Sequence, residues 1–171
     1  MSILVTGGTG FIGSHTVLEL LNAGYDVVVV DNLCNSSKES LNRVEELTGK
    51  KAKFYEADIL DREALESIFE KEDIDSCIHF AGLKAVGESV RLPWEYYHNN
   101  IGGTLVLTDV MRKHGVKILY FLLQLPCMVS RRVCLSQKKQ SWVKSPIPMV
   151  KQKPCWNRFY LTCKKRTMSG M

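Results

Sequence analysis

Apolar residues first appear as a short run, Ile3-Leu4-Val5, which ends in the turn-forming segment Thr6-Gly7-Gly8-Thr9-Gly10. A helical period follows, with Ile12, Val17, Leu18, Leu20 and Leu21 spaced for one buried face and Gly24 placed to stop the helix. Val27-Val28-Val29-Val30 is continuous and β-branched, the pattern of a parallel strand buried on both sides. Residues 38–47 read as helix, Ala52-Lys53-Phe54-Tyr55 as strand, and residues 61–71 as a helix begun by Asp61. Ser76-Cys77-Ile78-His79-Phe80 is the next strand. Residues 93–114 read as one helix, with Pro93 in its first turn and Gly115 past its end. Val116 to Phe121 is the last strand. Strands alternating with helices predict an α/β fold, here an incomplete doubly wound parallel sheet of about five strands with an irregular C-terminal tail.

Composition changes this picture at residue 121. The 171 residues carry a net charge of +5. That figure averages residues 1–121, with 12 basic and 18 acidic residues, and residues 122–171, with 11 basic and no acidic residue. Four of the six cysteines and four of the five prolines also lie after Phe121, and no alanine does. Two pieces are therefore expected: residues 1–121 as the α/β domain in part, and 122–171 as a tail that is no native domain. No run approaches the ~18 apolar residues of a membrane span, so no membrane partner is expected. The chain opens without a basic, apolar, cleavable leader, which points to the cytoplasm and to reduced thiols.

The glycine loop carries the strongest chemistry. Gly7, Gly10 and Gly13 allow a tight turn, close approach of a pyrophosphate, and close packing of helix on sheet, with the anion at the helix N-terminus. Asp31, ending the second strand, stands at the offset of a carboxylate that accepts hydrogen bonds from an adenosine ribose. It would repel a 2′-phosphate, so NAD is expected over NADP. Asp58-Ile59 reads either as a helix cap or as a flank for adenine, and its place at a strand's carboxyl end favours the flank. His79 reads as a satisfied core histidine. Lys84 reads as a crevice residue or as a solvated surface lysine, and Tyr96-Tyr97-His98 as core and rim aromatics. Cys34 and Cys77 have no metal-ligand spacing, and no metal is expected.

Three segments together closely resemble the UDP-glucose 4-epimerases of the extended short-chain dehydrogenase/reductase family. They are Thr6 to Thr16, Asp31-Asn32-Leu33-Cys34-Asn35-Ser36, and His79-Phe80-Ala81-Gly82-Leu83-Lys84 on to Val90, with Pro93, Tyr96-Tyr97 and Asn99-Asn100 after them. The glycine loop would fit any sugar-nucleotide member, including other epimerases and dehydratases; the block from His79 to Val90 is more specific. The resemblance implies a transient NAD-dependent oxidation at C4 that interconverts UDP-galactose and UDP-glucose in galactose metabolism, and leaves room for the family's homodimer. It assigns the pyrophosphate to Gly7 through Gly10, Phe11 and Ile12, the adenosine surroundings to Asp31, Asn32, Leu33, Cys34, Asn35 and Ser36, and the adenine edge to Asp58 and Ile59. It gives the remaining cofactor groups to Phe80, Ala81, Gly82, Leu83, Lys84 and Asn99.

After Phe121 the resemblance stops. The family's Ser-Ser-Ser-Ala-Thr-Val-Tyr-Gly segment and its Tyr-x-x-x-Lys motif both read as absent, so no catalytic residue is assigned in frame. Triplets made from the last base of one codon and the first two of the next behave differently. Across Leu122 to Val129 they permit the serine segment, its Gly forced by Met128 and Val129. From Ser145 through Lys153 they permit Thr-Asn-Pro-Tyr-Gly-x-Thr-Lys, its Gly forced by Met149 and Val150. A long ordered run of such matches implies that one base is missing near the codon of Phe121. Out-of-frame translation then accounts for the basic tail, leaving neither a nucleic-acid arm nor a zinc module, since Cys127, Cys134, Cys155 and Cys163 lack paired spacing. Two readings stand: an epimerase whose tail is misread, or an inactive NAD-binding half-domain.

Overall fold

A computed structural model describes residues 2–121. In chain order the elements are β1 (Ser2–Thr6), α1 (Phe11–Asn22), β2 (Asp26–Asp31), α2 (Glu39–Thr48), β3 (Lys53–Glu56) and α3 (Arg62–Lys71). Then come β4 (Ile74–His79), α4 (Val86–Arg91), α5 (Pro93–Tyr97), a π-helical turn (His98–Gly102), α6 (Gly103–Lys113) and β5 (Ile118–Phe121). The chain divides into two compact units. Among the described residues, the first holds 2–83 and 98–121, and the second holds Lys84–Tyr97. The expected irregular tail over 122–171 lies outside the described residues.

The first unit is a five-stranded, all-parallel sheet in the order β3-β2-β1-β4-β5. The run Val27 to Val30 explains why two layers of helix form. Val28 and Val30 join Leu4 in one cluster with Leu65, Ile68 and Phe69 of α3 and Leu107, Val110 and Met111 of α6. Val27 and Val29 join Val5 in the other cluster, with Val17 and Leu21 of α1 and Leu41 and Val44 of α2. Alternate residues of each strand point to opposite faces, so only a continuous apolar run can serve both. Asp61 caps α3, its carboxylate accepting the Ala64 N–H at 3.1 Å. Gly24 follows α1 with a left-handed backbone, at the expected stop.

Two expectations are corrected, and one helix is added. Ile12, counted on the buried face of α1, is 37% exposed, and Gly13 takes the buried place beside it. The helix close-packs there through glycine, which turns Ile12 outward. The single helix over 93–114 is three pieces, with the π-helical turn between α5 and α6. Asn99, Asn100, Gly102 and Gly103 are weak helix formers, and the Asn100 side chain bonds a distant backbone instead of solvent. Helix α4 was not foreseen, because Val86, Gly87, Ser89 and Val90 give it little propensity. In this second unit the Tyr96 hydroxyl donates to Glu88 at 2.6 Å. Burial, then that bond, pushes the Tyr96 phenol up to about 12.

Candidate functional site

Strands β2 and β3 lie on one side of β1, and β4 and β5 on the other, so the order of the sheet reverses between β1 and β4. A crevice outside the carboxyl ends of the strands at such a point is where this architecture holds ligands. Register places Thr6 opposite both Val30 and His79, so the loops after β1, β2 and β4 leave the sheet at one level.

The loop after β1 is closed by its neighbours. The Phe80 and Ala81 N–H groups both donate to the Thr6 carbonyl, at 3.0 and 3.1 Å. Gly7 has φ +70°, and a Cβ there would lie 2.6 Å from the Ala81 nitrogen. At Gly13 a Cβ would lie 2.1 Å from the Gly7 carbonyl oxygen. Gly10 differs, since among the described residues a Cβ would meet only that same oxygen, at 3.4 Å. Gly10 is also the N-cap of α1 and offers no capping side chain, and the first turn holds no acidic residue. The first N–H groups of α1, which have no intrahelical acceptor, lie beside Phe11, which is 83% exposed. Unfilled donors and the helix dipole suit this end to an anion.

Asp31 is buried and pinned. Its Oδ2 accepts the Thr9 N–H at 3.1 Å, and its Oδ1 accepts the Leu33 N–H and the Ser36 hydroxyl, each at 3.0 Å. Ser36 gives its proton to a carboxylate that can only accept. The 2.7 Å bond between the Thr9 and Ser36 hydroxyls is therefore donated by Thr9. Ser40 ties the same loop by donating to the Thr9 carbonyl at 2.9 Å. Leu33 takes φ +55°, a left-handed backbone unusual for a branched residue, as the chain turns to present Asn32 to Cys34. Asn32 donates to Asp58 Oδ2 at 2.7 Å and accepts the Cys34 N–H at 3.2 Å. Asp58 also accepts the Leu60 N–H at 2.8 Å, while Asp61 does the capping. Ile59 is buried, against the place where a Gly103 side chain would stand, so its side chain serves the core.

His79 is the satisfied core histidine that the sequence indicates. It is 2% exposed, with Nδ1 facing the Thr6 hydroxyl and Nε2 facing the Thr104 hydroxyl at 2.7 Å. Thr104 donates onward to the Asn100 carbonyl at 2.9 Å, so its oxygen accepts from Nε2–H. Thr6 accepts the Ala81 N–H at 3.4 Å and turns its own proton to Nδ1. The relay runs from the loop after β4 to the π-helical turn.

The structure brings Gly7, Gly10, Phe11, Ile12 and Gly13 to one edge of the first unit with Asp31 to Ser36, Asp58, Phe80 to Leu83 and Asn99. Lys84 begins the second unit, and loss of surrounding water lowers its pKa. Sequence reasoning missed Thr9, Ser40, Asn100 and Thr104. Thr9 bonds Asp31 and Ser36, and Ser40 bonds Thr9, across 22 or more positions, so no local spacing marks these contacts. It also passed over one bare Tyr-x-x-x-Lys spacing, Tyr160 with Lys164. That pair lies outside the described residues, beyond the position where the shifted frame puts the motif. Among the described residues no cluster of His, Cys, Asp and Glu is arranged to hold a metal ion, and no helix is long and apolar enough to cross a membrane.

A model of the NAD dependent epimerase/dehydratase family matches residues 3–123. The UDP-glucose 4-epimerase of Bacillus subtilis is 64% identical over 121 residues, which are 71% of this chain and 36% of that protein. The enzyme of the same name from Haemophilus influenzae is 68% identical over 116 residues, 68% of this chain and 34% of that one. The crystal structure of UDP-glucose 4-epimerase from Bifidobacterium longum in complex with NAD+ and UDP superposes with a TM-score of 0.88 at 42% identity. The superposition covers 99% of this chain and 50% of that one. The chain thus spans about a third of the length of the curated relatives it matches.

Proposed function

We propose, from the premise that the chain belongs to the NAD dependent epimerase/dehydratase family, that residues 2–121 form the NAD-binding part of a UDP-glucose 4-epimerase. The observation that carries the cofactor reading is the contrast among the three glycines. Gly7 and Gly13 are required by the protein's own packing, whereas Gly10 leaves space at an uncapped helix end, where a pyrophosphate would approach the backbone. Gly7, Gly10, Phe11, Ile12 and Gly13 would hold that group. Asp31 keeps acceptor capacity on Oδ2 for a ribose hydroxyl, since two carboxylate oxygens take about four hydrogen bonds and three are filled within the described residues. Asn32, Leu33, Cys34, Asn35 and Ser36 would frame the adenosine, with Asp58 and the Ile59 backbone at the adenine edge. Phe80, Ala81, Gly82, Leu83, Lys84 and Asn99 would line the rest.

Bound NAD would supply reversible hydride acceptance from C4 of UDP-galactose or UDP-glucose. The described residues supply binding, orientation and exclusion of a 2′-phosphate; none is placed to move the hydroxyl proton. We further assign residues 1–121 to the enzyme and 122–171 to translation one base out of frame, which fits a family match ending at residue 123 and a tail with no acidic residue. The 171-residue chain is then a cytoplasmic NAD-binding fragment without turnover.

Two purified proteins test this: the 171-residue chain, and the product of the gene with one base restored near codon 121. The restored protein should retain NAD and epimerise UDP-galactose. Replacing Asp31 by Ala should weaken NAD retention about tenfold or more, the loss expected for hydrogen bonds to a charged group. Preference for NADP by the restored protein would sink the cofactor reading. Turnover of UDP-galactose by the 171-residue chain would sink the frame assignment.

A further inference from the structure

Residues 81–83 follow β4 without regular structure, yet the Leu83 peptide is gripped from both sides by one side chain. Asn100 Oδ1 accepts the Leu83 N–H at 2.8 Å, and Asn100 Nδ2 donates to the Leu83 carbonyl at 2.9 Å. A flipped amide would oppose like groups at both contacts, so the bonds fix its orientation. The same Oδ1 accepts the Asn99 side-chain amide at 3.1 Å. Gly82 allows this approach: it has φ +154°, and a Cβ there would lie 3.1 Å from Asn100 Oδ1. The backbone of Asn100 is itself anchored, because its carbonyl accepts from Thr104, which bonds the buried His79.

We propose that Asn100 is a positioning residue that sets the loop from Ala81 to Leu83, and the Asn99 side chain, in the geometry that receives the cofactor. The proposal rests on the reading that these residues face NAD. Asn100 acts through them and needs no contact with the cofactor. Its placement in a π-helical turn fits this task, since such turns interrupt the regular spacing of a helix and re-aim side chains where function requires it.

The test compares Asn100→Ala, Asn100→Asp and the core variant Val110→Ala in the full 171-residue chain, by NAD titration well below the melting midpoint and by residue-resolved hydrogen exchange. Asn100→Asp keeps the shape and the acceptor for the Leu83 N–H, but sets a carboxylate oxygen against the Leu83 carbonyl. Both Asn100 variants should weaken NAD binding about tenfold or more, the scale of hydrogen bonds lost between partly buried polar groups. Leu83 amide exchange should accelerate in Asn100→Ala alone. Val110→Ala, which opens a cavity at a residue that is 0% exposed, should melt earlier and bind NAD as the unaltered chain does. Unchanged NAD affinity in both Asn100 variants, or unchanged Leu83 exchange in Asn100→Ala, overturns the proposal while leaving the cofactor reading intact. Absence of NAD binding by the unaltered chain refutes the cofactor reading itself, and the proposal with it.

Discussion

Gly10 and Gly13 stand three residues apart in one loop, yet a methyl group at each meets different surroundings. At Gly13 it would collide with the Gly7 carbonyl, a backbone atom that cannot swing aside. Gly13→Ala should therefore destabilise the fold by roughly 1–3 kcal/mol, the ordinary cost of overpacking, read as a lower urea midpoint without cofactor. Gly10→Ala fits the free protein, so its melt should match that of the unaltered chain while NAD affinity falls at least about tenfold, as for a lost charged hydrogen bond. Equal melts with equal affinities would remove the anion from this loop. The sequence pattern names all three glycines but ranks none of them. The difference lies in what packs behind each one, and for Gly7 that is Ala81, which no local spacing brings near. Asp31 was legible for the same reason the glycines were, a fixed offset from a strand end. Thr9, which bonds both Asp31 and Ser36, was not legible, because its role depends on a contact between two loops.

Helices α3 and α6 pack on the same face of the sheet and are also joined by charge. Arg62 reaches Asp109 at 2.5 Å, Arg112 reaches the same carboxylate at 2.7 Å, and Lys113 reaches Glu66 at 2.6 Å. The bonds from Arg112 and Arg62 pull the Asp109 carboxyl down to about 2, against 3.8 for an unperturbed side chain. A folded value below the unfolded one means that this group stabilises the fold above about pH 4, and that the contribution disappears as pH falls toward 2. Asp109→Asn should melt earlier than the unaltered chain at pH 5, with the gap closing by pH 2 in a thermal titration. A gap that widens on acidification would show that the pairing does not stabilise. At this scale the strands and helices α1 to α3 were legible from apolar period and turn residues, down to Asp61 as the cap of α3, whereas α4 was not. Nor was the break between α5 and α6. A period of apolar residues runs on either side of Asn99 and Asn100, and it hides both the weak helix formers there and the bond from Asn100 to Leu83.

For the first unit as a whole, β1 is the keystone, paired with β2 on one side and β4 on the other, with Leu4 in one core and Val5 in the other. Leu4→Ala should cost about 2–5 kcal/mol, and should lower the urea midpoints read from α2 and from α6 together. Separate midpoints would mean that the two faces unfold independently. The sheet class was legible because strands and helices alternate; the order of the strands was not, because period says nothing about which strand enters the middle. That order has a consequence for the time course of folding. The bond between Thr6 and His79 spans 73 residues, so the central strand waits half-paired until β4 leaves the ribosome. Loop closure grows costly only slowly with length, but long-range parallel pairing is slow, and an exposed strand edge recruits other chains meanwhile. The nascent chain is thus most prone to aggregate while β1 has one neighbour.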